Sequence, residues 1–369
     1  MDDSMTRDAG TEDLEPKDSA ALGSSGRQRR RGSAPTIYDI AELAGVNPST
    51  VSRALSKPGR ISAPTEAKIR RAAEQLHFRF NPMARALPTG RSNTIALIVA
   101  DITNPVVFGI VRGAESAAKA QGYTLVITES QESGEAESEA IERILPSVDG
   151  IVLATTRLSS DRIREIAEQK PVVLINRAVE GIIGILPDID SGVNELLDHL
   201  VGLGHRSIAY LAGPEASWIS DQRFDRMLDA TERLGVALVE ISGNAPTIEG
   251  GRAALRRVIA ARTTAVIAFN DLIAIGLMQA AMSEGIRVPQ DLSVAGFDDI
   301  FGSELITPAL TTVRAQLITA GERAVLNLLA ELANDDSASG LPDNPLLTTT
   351  LVVRASTAPV GPDKPQVSR

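Results

Sequence analysis

The chain has no cysteine, few histidines and few aromatic residues. Of its 369 residues, three are histidine, and aromatic residues make up 3%. The absence of cysteine excludes disulfides, thiolate metal sites and cysteine nucleophiles, and it is typical of proteins in a reducing compartment. His77, His199 and His205 lack the spacing of metal ligands, so we interpret them as core or capping residues and expect no metal site.

Long apolar runs and common catalytic motifs are also missing. No stretch approaches the roughly 20 apolar residues that a membrane-spanning helix needs, and the acidic start of the chain does not resemble a signal peptide. The sequence contains no Walker A loop, no GxGxxG and no GxSxG. We therefore expect neither a membrane partner nor an enzyme, and no cofactor.

The net charge of −10 is distributed unevenly. Residues 1–26 hold seven acidic and two basic residues, whereas basic residues outnumber acidic ones in residues 27–90. The basic run from Arg27 to Arg31 is by itself compatible with a solvated tail. Because the basic excess continues well beyond that run, it predicts a module that contacts a polyanion, followed by an acidic body.

The N-terminal third of the chain predicts a leader and a small helical domain. Residues 1–34 mix polar and charged residues without apolar periodicity, which predicts a disordered leader. Residues 35–80 then carry three short helical patterns. The first spans Ile37–Ala44, the second opens with Pro48 after a glycine turn, and the third begins after Ser62. This order predicts a three-helix unit of helix-turn-helix type.

The remaining sequence alternates β-branched apolar runs with amphipathic helical segments, as in α/β proteins with parallel sheets. The predicted strands are Ile95–Ala100, Thr124–Thr128, Ile151–Ala154, Val172–Ile175, Ile208–Leu211, Ala237–Ile241, Ala265–Ala268 and Val294–Gly296. So many strands in one sheet would be unusual, so we predict two doubly wound lobes with a cleft between them. The predicted boundaries are an N-lobe at about 93–188 and 315–345, a C-lobe at about 189–314 and 346–358, and a flexible tail at 359–369.

The second helix of a helix-turn-helix enters the major groove of DNA by its N-terminal end. Arg53 offers a fork that matches guanine O6 and N7, Ser49 can bond a base or a phosphate, and Pro48 can supply apolar contact. Short polar groups and one tyrosine are predicted to contact phosphates: Thr36, Tyr38, Asn47, Thr50 and Ser52. The spacing alone favours an ordinary helical hairpin over a DNA-reading unit.

Residues Thr36–Leu55 resemble, almost position for position, the headpiece signature of the lactose repressor (LacI) family of transcription regulators. Asn81–Leu87 resembles the hinge helix of that family, which implies a hinge and linker at 81–92. The resemblance implies that Asn81, Ala84 and Arg85 contact DNA and that Leu87 enters the minor groove as an apolar wedge. Phe80 and Pro88 depart from the family pattern on either side of this segment.

The resemblance covers roughly residues 35–358, and further loop motifs follow in the family's order. These motifs are Asp101–Pro105, Ile175–Arg177, Gly213-Pro214 with Ser217, Ser220 and Arg223, Asn270-Asp271, and Gly296–Asp299. The resemblance implies a ligand pocket at the carboxyl ends of the strands. The candidate effector-binding residues are Asn104, Phe108, Arg177, Trp218, Ser220, Arg223, Asn270 and Asp298. Ile189 and Arg226 depart from the pattern.

The candidate residues favour a ligand with several hydroxyl groups. Arg223, Asn270 and Asp298 together supply donors and acceptors for such a ligand. Val106 and Val107 stand where the family's purine sensor has aromatic residues, which disfavours a purine. Trp218 could stack on the apolar face of a sugar, or it could be a core aromatic.

The sequence as a whole predicts a homodimeric repressor that binds a pseudo-palindromic DNA operator under the control of a sugar-like effector. We expect it in the cytoplasm, associated with the nucleoid. Three alternatives remain: a solute-binding protein of transport type, a DNA-binding regulator without an effector, and an architectural DNA protein.

Overall fold

The computed structural model describes residues 35–56, 59–78, 91–333 and 345–361. The chain divides into two compact units, one ending at Asn81 and the other beginning at Pro82. Several predictions fall outside the described residues: the leader at 1–34, the hinge contacts Asn81, Ala84, Arg85 and Leu87, and the tail from 362 onward.

The first unit contains the three predicted helices. These are α1 (Ile37–Ala44), α2 (Pro48–Ser56) and α3 (Ala63–Gln75). Their apolar faces meet in a small core around Ile40, Val51 and Ile69, each at most 1% exposed. Burial of one large aliphatic side chain from each helix is the main source of stability for a domain of this size.

Local signals fix the ends of α1. The Asp39 carboxylate accepts hydrogen bonds from the backbone N–H of Thr36 (2.6 Å) and from its hydroxyl (2.8 Å), which secures the N-terminus. Gly45 adopts a left-handed conformation with φ +63° and ends the helix. The short turn that follows sets the angle between α1 and α2.

The second unit begins with an α/β lobe, the N-lobe, whose sheet has five parallel strands in the order β2-β1-β3-β4-β5. The strands are β1 (Thr94–Val99), β2 (Thr124–Glu129), β3 (Gly150–Ala154), β4 (Val172–Ile175) and β5 (Ile183–Ile185). Its helices are α4 (Val106–Ala120), α5 (Gly134–Ile144), α6 (Ser160–Ala167) and, from much later in the chain, α12 (Leu317–Leu332). Separate apolar clusters cover the two faces of this sheet.

The C-lobe repeats the same strand order, with one more strand, as β7-β6-β8-β9-β10-β11. Its strands are β6 (Ser207–Leu211), β7 (Ala237–Ile241), β8 (Ala265–Ala268), β9 (Ser293–Asp298), β10 (Thr311–Arg314) and β11 (Thr350–Val352). Only β11 is antiparallel to its neighbour. The helices are α7 (Ile189–Gly202), α8 (Trp218–Leu234), α9 (Ile248–Ala261), α10 (Asp271–Ser283) and α11 (Gly302–Leu305).

Three segments carry the chain between the lobes, and we call them the crossovers: residues 186–188, 315–316 and 345–349. They are hydrogen-bonded to one another. The Asp188 N–H donates to the Leu347 carbonyl (2.7 Å), and the Leu347 N–H donates to the Leu186 carbonyl (2.8 Å). The Gln316 side chain also bonds the Thr348 hydroxyl. The lobes are therefore joined by one linked set of short segments rather than by independent tethers.

All eight predicted strands are present, but β5, β10 and β11 were not predicted. They are three or four residues long and each contains a glycine or threonine, so they lack the apolar run that identified the others. The predicted flexible tail also begins too early. The Val360 N–H donates to the Leu203 carbonyl (3.0 Å), so the described chain is held against the C-lobe beyond residue 359.

None of the helices in the described part of the chain combines the length and the apolar character needed to traverse a bilayer. Over the same residues, no group of three or more histidine and carboxylate side chains could hold a metal ion.

Two of the histidines bond threonine hydroxyls in the C-lobe. His205 is fully buried with Nδ1 2.8 Å from the Thr264 hydroxyl, and Nε2 of His199 lies 2.9 Å from the Thr357 hydroxyl.

A second fully buried polar group stabilises the C-lobe. Asp271, the first residue of α10, is 0% exposed. Its Oδ2 accepts hydrogen bonds from the Ser303 hydroxyl (2.5 Å) and the Ile300 N–H (3.0 Å), and its Oδ1 accepts one from the Thr312 hydroxyl (2.6 Å). Gly296 faces this carboxyl, and a Cβ there would lie 2.3 Å from Oδ1. Burial, and then the nearby Asp298 carboxylate, raise the pKa of Asp271 to about 8 against these hydrogen bonds.

Glycine permits the close approach of two N-lobe helices. A Cβ on Gly113 of α4 would lie 1.9 Å from the carbonyl oxygen of Ile318 in α12, and a Cβ on Gly321 of α12 would lie 2.0 Å from that of Ile110. We expect Gly113→Ala to lower the free energy of unfolding by about 1–3 kcal/mol or more, because the backbones must separate.

The control is Gly202→Ala at the end of α7, where an added Cβ meets nothing within 4 Å. We expect it to be neutral or to stabilise by up to about 1 kcal/mol. Denaturant unfolding followed by circular dichroism compares the two variants. Equal effects of both would contradict the packing of α4 on α12.

The buried Asp271 also predicts a pH dependence of stability. Between about pH 4 and pH 8 the native protein holds a proton on this carboxyl that the unfolded chain, with an ordinary pKa of 3.8, has released. The free energy of unfolding therefore falls as pH rises through this window. Asp271→Asn cannot titrate, so its stability should fall less steeply over the same range.

Denaturant unfolding at pH 5, 6, 7 and 8 measures the slope. Asp291→Asn is the matched control, because Asp291 forms an exposed ion pair with Arg287 (2.6 Å) elsewhere in the C-lobe. It should keep the slope of the parent protein. An unchanged slope in Asp271→Asn would mean that Asp271 is ionised in the native state.

Candidate functional site

A narrow cleft with a cavity volume of about 40 Å³ lies between the two lobes. Its lining residues from the N-lobe follow the carboxyl ends of β1 to β4, and most of those from the C-lobe follow the ends of β7 to β9. They are Ala100, Asp101, Asn104, Val106, Val107, Glu132, Thr155, Arg157 and Asn176 from the N-lobe, with Ile219, Arg223, Pro246, Phe269, Asn270 and Asp298 from the C-lobe. This is the edge at which doubly wound sheets bind ligands.

A buried arginine organises the C-lobe wall of the cleft. Arg223, on α8, donates from Nη1 to the Phe269 carbonyl (2.6 Å), and its Nη2 lies 3.5 Å from the Asp298 carboxylate. Its guanidinium carbon is 4.2 Å from the ring centroid of Phe297 and 5.4 Å from that of Phe269. Burial raises the pKa of Asp298, whereas Arg223 opposes that shift. The pair supplies a fixed donor and a fixed acceptor side by side.

Asn270 lines the cleft and also supports it. Its Oδ1 accepts from the Ile273 N–H (2.9 Å), which caps α10, and its Nδ2 donates to the Pro246 carbonyl (3.0 Å). The amide therefore has one donor hydrogen and one lone pair left for a ligand. A residue predicted to bind an effector is at the same time the cap that fixes the loop around it.

The N-lobe wall carries an ion pair that the sequence reasoning missed. Arg157, whose side chain is 4% exposed, donates from Nε (2.8 Å) and Nη2 (2.6 Å) to Oε2 of Glu132 and from Nη1 to the Thr155 carbonyl (2.7 Å). Its backbone N–H donates to buried Glu137 (2.8 Å), and burial raises the pKa of that carboxyl. The position of these residues just after β2 and β3 was the available signal, because strand ends form the cleft.

Asp101, Thr155 and Asn176 complete the polar part of this wall. Asp101 and Asn176 stand inside the motifs quoted above but were not chosen as candidates. Thr155 and Asn176 have left-handed backbones, with φ of +56° and +58°. Such conformations are uncommon outside glycine and concentrate at functional sites.

Four predicted effector residues are not among the residues that line the cleft. Phe108, in the first turn of α4, is 54% exposed and is not among the lining residues. Trp218 is half-buried and packs against the C-lobe core, as the core-aromatic alternative held. Ser220 is buried, and its hydroxyl accepts from the Gly213 N–H (3.0 Å), which shapes the loop after β6.

Arg177 lies beside the cleft rather than in its lining. It follows Asn176, and its Nη2 donates to the Ser160 hydroxyl (3.1 Å). Its Nε is buried and makes no hydrogen bond. Burial lowers the pKa of Arg177, the carboxylate of Asp221 in the other lobe raises it, and Arg157 lowers it.

The headpiece presents polar side chains along its first and second helices. Tyr38 is 68% exposed. Thr36, Asn47, Ser49, Ser52 and Arg53 are also exposed, whereas Pro48 and Thr50 are half-buried. Arg60, exposed in the loop before α3, is a further cation that was not chosen; the basic excess of residues 27–90 was the signal for it. The arrangement leaves the N-terminal half of α2 open to a partner.

Two family models match the chain. The model of bacterial regulatory proteins of the lacI family matches residues 36–81, and that of the periplasmic binding protein-like domain matches residues 197–357. The HTH-type transcriptional repressor CytR of Escherichia coli (strain K12) is 30% identical over 339 residues, which cover 90% of this chain and 98% of that protein.

Solved structures agree with these matches. The lac repressor dimer bound to operator and the anti-inducer ONPF is similar with a TM-score of 0.79 and 27% identity, over 88% of this chain and 100% of that one. The complex of the transcriptional regulator CelR with cellobiose is similar with a TM-score of 0.62 and 25% identity, over 87% and 99%. This chain thus belongs to the lacI family of bacterial regulatory proteins, and it is a DNA-binding transcriptional regulator rather than an enzyme.

Proposed function

We propose that the protein is a homodimeric repressor that binds a pseudo-palindromic operator, and that a small molecule in the cleft controls this binding. The effector is a sugar or a related polyhydroxyl compound. The observation that carries the proposal is the pairing, in one chain, of an exposed reading helix with a polar cleft between two lobes.

The proposed base contacts come from the exposed face of α2. Pro48 begins the helix and Ser49 is exposed in its first turn, and Arg53 is exposed one turn later on the same face as Ser49. The Arg53 fork fits guanine, and its loss would remove discrimination at one base pair. Thr36, Tyr38, Asn47, Thr50 and Ser52 would contact phosphates, and Asn81, Ala84, Arg85 and Leu87 would contact DNA from the hinge.

The proposed effector contacts come from both walls of the cleft. Arg223 and Asp298 offer a donor and an acceptor on one side, and Asn270 offers one of each. Asn104, Thr155 and Asn176 line the other side. Closely spaced donors and acceptors above apolar residues match the alternating hydroxyl and C–H faces of a sugar. The similarity to a regulator in complex with cellobiose supports this class of ligand.

The proposed dimer uses an exposed apolar surface on the C-lobe. Phe301 and Leu305, at α11, are 69% and 75% exposed, and Met282, near the end of α10, is 47% exposed. A groove lined by Ile275, Met278, Met282 and Ile306 adjoins them. Monomeric proteins seldom expose so many large apolar side chains together. A second copy of the chain would cover this surface. The similarity to a repressor that was solved as a dimer supports this proposal.

The experiment that tests the regulator is a pull-down of fragmented genomic DNA with the purified protein at physiological salt, with and without a panel of sugars. Sequencing of the bound fragments should yield a short palindrome whose recovery changes with one sugar. Only salt-sensitive, sequence-independent binding would contradict an operator-specific repressor.

We expect Arg53→Ala to weaken binding to the recovered operator by about 1–3 kcal/mol and to relax the preference at one base pair in each half-site. Arg70→Ala is the matched control, because Arg70 is an exposed headpiece arginine paired with Glu66 on α3 (3.0 Å). Fluorescence anisotropy with operator variants measures both. A uniform loss across all sequences in Arg53→Ala would reassign this residue to a phosphate contact.

For the dimer, we expect Leu305→Glu to raise the dissociation constant about 10- to 100-fold, because an apolar side chain worth about 1.5–3 kcal/mol is replaced by a charge. Leu228→Glu, at an exposed leucine on α8, should leave the dimer intact. Sedimentation equilibrium distinguishes the two. A dimer of unchanged affinity in Leu305→Glu would move the interface elsewhere on the molecule.

A further inference from the structure

Two successive aspartates leave β9 in unusual backbone conformations. Asp298 has φ +106° and Asp299 has φ +54°. Residues with a Cβ rarely adopt positive φ, and a consecutive pair persists only where the surroundings impose it. Because of this turn, the two carboxylates lie in different places: Asp298 lines the cleft, whereas Asp299 does not.

The Asp299 carboxylate is bound by two arginines. Oδ2 accepts from Nε of Arg314 (2.6 Å), and Oδ1 accepts from Nη2 of Arg354 (2.6 Å). The Asp299 side chain is 8% exposed and that of Arg354 is 14% exposed, so one pair is largely shielded from water. Charged hydrogen bonds of this length in a shielded place are strong, and they fix the carboxylate from both sides.

The two arginines belong to the strands that connect the lobes. Arg314 is the last residue of β10, directly before the crossover at 315–316. Arg354 lies two residues beyond β11, the strand that follows the crossover at 345–349. Its backbone N–H donates to the Thr311 hydroxyl (3.0 Å) and its Nη1 donates to the Leu310 carbonyl (2.8 Å), which ties it to the start of β10.

The buried Asp271 strengthens the same connection. Its carboxyl accepts hydrogen bonds from Ile300 and Ser303, after the turn, and from Thr312 of β10. The turn at Asp298–Asp299 is thus fastened to the crossover strands from two sides. A shift of Asp298 would have to be accompanied by movement of β10 and β11.

We propose that Asp299 is a positioning residue that couples the cleft to the crossovers, and that its ion pairs with Arg314 and Arg354 set the balance between more open and more closed arrangements of the lobes. Lobes joined by short segments move by changes confined to those segments. The use of this coupling in regulation rests on the proposed effector role of the cleft. The coupling itself does not, so it is tested without any effector.

A purely structural ion pair predicts a different result. Loss of such a pair would lower the unfolding temperature while leaving the arrangement of the native lobes unchanged. Coupling predicts a change in the distance between the lobes in the folded protein. The distance between lobes is therefore the measurement that separates the two.

The lack of cysteine allows one spin label to be placed in each lobe. Glu139→Cys on α5 and Glu232→Cys on α8 replace exposed residues, one in each lobe. The labelled protein is diluted with excess unlabelled protein, so that pulsed electron–electron double resonance measures the distance between the two labels of one chain. The same measurement is made on Asp299→Asn and Arg314→Gln, with Asp291→Asn as the matched control at an Arg–Asp pair away from the crossovers.

We expect Asp299→Asn to shift or broaden the distance distribution, Arg314→Gln to change it in the same direction by less, and Asp291→Asn to match the parent. Distributions of Asp299→Asn and Arg314→Gln that match the parent would overturn the proposal, whatever their unfolding temperatures. If Asp299→Asn fails to fold by circular dichroism, Arg314→Gln decides alone, because Arg314 is 57% exposed. Failure of the proposed operator or effector function would leave these distances unaffected.

Discussion

The arrangement of this regulator depends on the parallel direction of its strands. Parallel neighbours require connections that return the chain to the same end of the sheet, so each parallel strand of a lobe delivers its following loop to one edge. Both lobes use the same strand order, and their loop edges face one cleft. Residues that lie far apart in sequence, such as Asp101, Arg223 and Asp298, therefore meet there without any local sequence signal that joins them.

Two ion pairs hold the walls of this cleft. Arg223 is matched by Asp298 and Arg157 by Glu132, and each pair joins two separate segments of one lobe. Because a buried unpaired charge is costly, each pair obliges its two segments to keep their relative positions. The pairs also leave polar atoms at the surface of the cleft. The same interactions that hold these segments thus form the polar surface of the cleft.

The sequence predicted the long elements and the headpiece well, because strong signals are local there. A capping threonine, a left-handed glycine and a regular apolar face define α1, and continuous apolar runs define the central strands. The short strands β5, β10 and β11 are defined by their neighbours rather than by their own residues. The cleft residues Glu132 and Arg157 were not predicted for a related reason: each stands in a loop whose partner comes from another part of the chain.

The packing of each lobe limits where motion can occur. Gly113 and Gly321 bring α4 and α12 into backbone contact, and Gly251 and Gly276 do the same for α9 and α10, where an added Cβ would lie 2.1 and 1.9 Å from a carbonyl oxygen. Helices packed this closely cannot slide without losing those contacts. Each lobe should therefore move as a rigid body, and the crossovers must accommodate any change in the cleft. Interactions at the ends of the crossover strands then control the arrangement of the lobes more directly than interactions deep within either lobe.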